Sequence, residues 1–86
     1  MNRPSRLSPR IHRINVSRLM IIRQGLGISS DKMAEAIGVE PTEYYEIEEL
    51  RAKPTEEQID KAGEFLKIPT YLRAGLMGRV SIEVSR

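Results

Sequence analysis

The sequence contains no cysteine, which excludes a disulfide framework, a thiolate metal site and a cysteine nucleophile together. A reducing compartment, the cytoplasm, is then the simplest setting. Long apolar runs are missing too. The longest, Leu19-Met20-Ile21-Ile22, is far short of the roughly 20 residues that span a bilayer. No apolar stretch precedes a small-residue cleavage site, so no membrane partner is expected. The one histidine, His12, stands in a basic stretch without a second ligand, and a phosphate or solvent contact is its default role. Carboxylates are plentiful, but no nucleophile-base pair or glycine-rich phosphate cradle accompanies them. Neither a metal, a cofactor nor enzymatic activity is expected.

Acid is absent from the first thirty residues, which carry Arg3, Arg6, Arg10, Arg13, Arg18 and Arg23, a block of +6. Residues 31–64 reverse this to −7, and the tail from residue 65 returns to +3, for a net +2 over the chain. This asymmetry suggests a nucleic-acid-seeking end joined to an acidic body. With 86 residues there is room for one domain, which buries only about 60% of its unfolded surface. Binding or assembly suits that size better than a deep enzymatic cleft.

Residues 1–14 hold two prolines and spaced arginines without a helical apolar period, and read as a flexible basic arm. From Val16, the apolar positions Val16, Leu19, Ile22 and Leu26 follow the spacing of one helix face behind Asn15 as N-cap, with Gly25 and Gly27 as the stop. A second helix of about two turns is predicted from Ser29 through Met33, Ala34 and Ile37 to Gly38. Pro41 suits the first position of a third, with Glu43 in its first turn and Tyr44 and Ile47 facing inward. Thr55 and Gln58 have capping-box spacing and open a fourth through Ile59, Ala62, Phe65 and Leu66. Pro69-Thr70 begins a last short helix, Tyr71 to about Leu76. Residues 79–85 then alternate apolar and polar in period two, the pattern of a half-buried strand.

Several spaced residues carry a resemblance: Arg23, Gly27-Ile28-Ser29, Met33-Ala34, Ile37-Gly38-Val39, Tyr44, Ile47-Glu48, Pro54, Ile59, Ala62 and Ile68. In this spacing the chain resembles the lambda-repressor/Cro-like helix-turn-helix family over about residues 16–76. The expected fold class is therefore all-α, a five-helix lambda-repressor-like DNA-binding domain with a basic N-terminal arm and a short C-terminal β-strand. Its parts would be the arm (1–14), the helix-turn-helix domain (15–77) and a dimerisation strand (78–86). Ala34 supplies the small residue needed where the motif's helices cross closely, and Gly38 a turn with positive φ.

The resemblance implies that the third helix is a recognition helix with Pro41, Thr42, Tyr45 and Glu46 toward the major groove. Ser30, Arg51 and Lys53 would contact the DNA backbone, and so would Arg3, Arg6, Arg10 and Arg13 of the arm. Arg23 and Glu48 correspond to a structural ion pair. Val80, Ile82 and Val84 would pair with the same strand of a second chain, since one strand cannot pair with itself. The expected function is a sequence-specific transcriptional regulator, a repressor acting as a homodimer on palindromic double-stranded DNA. Three departures from the family matter: Leu50 replaces the usual glycine after the third helix, Lys32 spoils the capping box expected at the second, and Glu40, Glu43, Glu46, Glu48 and Glu49 make the third helix repel phosphate. The alternative is a module repurposed to bind a protein partner, as an antitoxin, anti-activator or adaptor, through the acidic third helix.

Overall fold

The structure, a computed structural model, describes residues 11–85. Its elements are β1 (Ile11–Ser17), α1 (Arg18–Gly25), α2 (Ser30–Ile37), α3 (Pro41–Glu48), α4 (Glu56–Leu66), a 3₁₀ helix (Thr70–Met77) and β2 (Arg79–Ser85). The two strands pair antiparallel, in a register running from Ile11 opposite Ser85 to Ser17 opposite Arg79. This sheet overturns the all-α expectation. It also places residues 11–14, expected in the arm, in a strand, and β2 finds its partner within its own chain.

The reason lies in the composition of residues 11–17. Ile11, Ile14 and Val16 are β-branched and favour extended backbone once a pairing strand is present. That strand lies more than sixty residues away, beyond the reach of a local periodicity. Val16 fits a helical spacing with Leu19 and Ile22, yet it reaches the core from the end of a strand and is only 1% exposed. The helix therefore starts later than expected. Ser17, not Asn15, caps α1, its hydroxyl accepting the Met20 N–H at 3.2 Å. The Arg18 N–H donates to the Gly78 carbonyl at 2.8 Å, joining the start of α1 to the start of β2.

The helices α1 to α4 end in one repeated device. A residue one or two positions past each helix takes a left-handed conformation: Gly38 (φ 79°) and Lys67 (φ 60°) directly after α2 and α4, Gly27 (φ 72°) and Leu50 (φ 64°) one residue later after α1 and α3. The next N–H then reaches back five residues, as in Ile28 to Arg23, Val39 to Ala34, Arg51 to Glu46 and Ile68 to Gly63. These paired closures satisfy carbonyls that a helix end leaves open. At the other end of α4, Thr55 Oγ1 accepts the Gln58 N–H and Gln58 Oε1 accepts the Thr55 N–H, closing the capping box.

Leu19, Met33, Ala34, Ile37, Tyr44, Ile47, Ala62, Leu66 and Leu76 form the core. Two apolar residues expected on inward faces are instead exposed, Leu26 at 58% and Phe65 at 44%. Leu26 lies in the closure after α1, and Leu66 rather than Phe65 turns inward from α4. Gly63 is buried on α4 against Arg73, so that a side chain there would collide with the arginine stem.

Candidate nucleic-acid interface

Two helices joined by three residues, Gly38, Val39 and Glu40, form the centre of the candidate site. Ala34 is buried on α2, and Gly38 in its left-handed conformation turns the chain toward α3. Pro41 at the head of α3 needs no partner for an N–H. α3 then divides into two faces. Tyr44, Ile47 and Glu48 are buried, whereas Pro41, Thr42, Tyr45 and Glu46 are exposed. Ser30 at the start of α2 donates to the Tyr45 hydroxyl at 3.2 Å, which places the serine expected to contact phosphate and a residue expected to contact a base on one surface.

Glu48 is held away from this surface. Its Oε2 accepts from Arg23 Nε at 2.6 Å and its Oε1 from Arg23 Nη2 at 3.2 Å, with side chains only 3% and 11% exposed. Arg23 Nη1 also donates to the Ile28 carbonyl at 2.7 Å. One guanidinium thus ties α1 to α3 and to the segment leading into α2. The hydrogen bond to Glu48 raises the Arg23 pKa despite burial. Tyr44 is fully buried beside this pair, and burial first, then Glu48, pushes its phenol far above the ordinary range. Its hydroxyl has no hydrogen-bond partner of good geometry.

The outward charge of α3 and its cap is therefore that of Glu40, Glu43, Glu46 and Glu49, all exposed. Arg51 is ion-paired with Glu49, while Lys53 is exposed and in no ion pair among the described residues. Arg79, which sequence reasoning passed over as part of a strand pattern, lines the same cleft as Arg51 and Lys53. Its signal was invisible locally because the fold alone brings residue 79 beside residues 51–53.

Arg3, Arg6 and Arg10 lie outside the described residues. Arg13 belongs to β1, and its Nη2 donates to Glu83 Oε2 at 2.8 Å across the sheet. It is thus a strand residue with a carboxylate partner and not part of a free arm. Val80, Ile82 and Val84 are half-buried on β2. Their strand is already paired with β1, which removes the original reason for seeking its partner in a second chain. Among the described residues, no three His, Cys, Asp or Glu side chains gather as a metal site would require, and no helix is long and apolar enough to cross a membrane. No family model matches the chain, and no curated protein matches it.

Proposed function

We propose that the protein is a sequence-specific DNA-binding transcriptional regulator of the cytoplasm, a repressor that works as a homodimer on a palindromic operator. The observation that carries this reading is the two-faced α3, packed through Tyr44, Ile47 and Glu48 and presenting Pro41, Thr42, Tyr45 and Glu46 beside Ser30. A helix supported this way from behind can enter a major groove, which is wide enough to admit one. Lys53, Arg51 and Arg79 flank its far end as phosphate contacts, which position the protein without specifying sequence.

Dimerisation is assigned to the ribbon of β1 and β2. Ile14 stands opposite Ile82 and Val16 opposite Val80 on one face, with Val84 further along; Val16 is already covered by the core, and Ile14, Val80, Ile82 and Val84 are the part left partly open. Ile14 is 43% exposed. A lone two-stranded ribbon is marginal in water, and a second copy supplies the missing cover for this apolar face. In a twofold dimer the two α3 helices would sit about 34 Å apart, one turn of DNA.

The test is fluorescence anisotropy with labelled random-sequence duplexes over a salt series. Binding should weaken with salt in a log-log line whose slope is about −0.9 for each phosphate neutralised. A second reading, an antitoxin or adaptor that binds a protein through α3, is favoured by the exposed Glu40, Glu43, Glu46 and Glu49. Failure to bind any duplex at low salt would move the assignment to it.

A further inference from the structure

Between the closure after α3, the start of α4 and the 3₁₀ helix lies an open cleft of about 640 Å³. Leu50, Ile59 and Met77 contribute its apolar walls; its lining cations are Lys53, Arg79 and Arg51, the last already paired with Glu49, and Glu56 is the opposing acid. The volume falls within the range of small-molecule sites, which join an apolar body to a few polar groups that fix orientation.

Leu50 adds an independent observation. Its φ of 64° lies where a side chain is strained and glycine is not, and its N–H and that of Arg51 close the helix by backbone bonds alone, to Ile47 and Glu46. Nothing in that closure needs a leucine. The side chain is half-buried and forms part of the cleft, so the strained position gives the cleft an apolar wall. Strain kept in place by its surroundings points to a use for the side chain.

A DNA phosphate on these cations would leave the apolar walls empty, so the walls call for an occupant with a hydrocarbon body. The chain's own basic residues are repelled by the same cations. We infer that the cleft between Leu50, Ile59 and Met77 binds a small amphipathic organic anion, its carboxylate between Lys53 and Arg79 and its hydrocarbon body on the apolar walls. Among the described residues neither cation is engaged in an ion pair, so both are available to it. The site does not depend on the DNA-binding reading. If that reading holds, an occupant would neutralise cations next to the recognition helix and act as an effector.

Methyl and amide NMR titration of the full chain, without DNA, tests the site using octanoate as the probe and 1-octanol as its uncharged counterpart. Octanoate should give saturable shifts centred on Leu50, Ile59 and Met77, with octanol at least about tenfold weaker because it lacks the charge-assisted contacts. The double variant Lys53→Ala/Arg79→Ala replaces two exposed side chains and should keep the wild-type spectrum. It should bring octanoate down to the octanol level while leaving octanol unchanged. The inference is overturned if no saturable shift appears into the millimolar range, if octanol binds as well as octanoate, or if the double variant binds octanoate normally. It also falls if the same signals move with protein concentration alone, because the cleft is then an interface between copies.

Discussion

Replacing Glu48 with Gln would leave the shape of the α3 inner face nearly unchanged while removing the carboxylate that pairs with Arg23. The guanidinium would remain buried without its countercharge, which costs about 3 kcal/mol for a desolvated pair and well under 1 kcal/mol for an exposed one. The side-chain exposures of 11% for Arg23 and 3% for Glu48 place the pair in the first class. A domain of 86 residues has a total stability of about 4 to 13 kcal/mol at roughly 0.05–0.15 kcal/mol per residue. One substitution would therefore remove between a quarter and three-quarters of it. In thermal unfolding followed by circular dichroism, Tm should fall by about 12 to 24 °C at 4–8 °C per kcal/mol. The double variant Arg23→Met/Glu48→Leu should recover most of that loss, since apolar groups of similar volume can replace a buried pair. The reasoning is refuted if Glu48→Gln unfolds within about 0.5 kcal/mol of the wild type, or if the double variant is no more stable than either single one.

Tyr44→Phe deletes a buried hydroxyl with no partner of good geometry and should be neutral or stabilising by up to about 1 kcal/mol in urea unfolding; a loss above 1 kcal/mol would show a real hydrogen bond. The folded Tyr44 pKa is raised above its ordinary 10.0, so the protonated phenol contributes stability that is fully present below pH 10 and is lost as pH rises beyond it, by at most about 1.4 kcal/mol per pH unit. Tyr44→Phe should flatten that alkaline slope, and an unchanged slope would contradict the assignment. Ile82→Lys places a charge on the ribbon's apolar face and should yield monomers in sedimentation at micromolar concentration, whereas a persistent dimer would put the interface elsewhere. Glu46→Ala should relax preference at one base pair by about 1 to 3 kcal/mol if Glu46 accepts from a cytosine amino group; unchanged sequence preference in a competition assay would make it a solvated side chain.

Helix punctuation was legible wherever the residue type is obligatory or nearly so. Gly27 and Gly38 mark left-handed closures, Pro41 a helix start, and Thr55 with Gln58 a capping box. The equivalent closures at Leu50 and Lys67 were not, because neither residue advertises a positive φ. Strand β1 was hidden for a different reason. Residues 16, 19 and 22 satisfy a helical period, and only the distant alternation of residues 79–85 reveals that Val16 ends a strand. At the candidate site, the inward turn of Tyr44 and Ile47 followed from their spacing, while the outward set of α3 and the inward Glu48 followed from the family resemblance. The approach of Arg79 to Arg51 and Lys53 did not, since it is a product of chain return through the 3₁₀ helix.

The central claim, that α3 reads duplex DNA from a twofold dimer, is tested most directly by repeated selection from a random duplex pool followed by sequencing. The account predicts an enriched palindrome whose half-site centres are about 10 base pairs apart, lost when Thr42, Tyr45 and Glu46 are together replaced by alanine in a chain that remains folded. Recovery of no motif, or of the same motif with that triple variant, would contradict it.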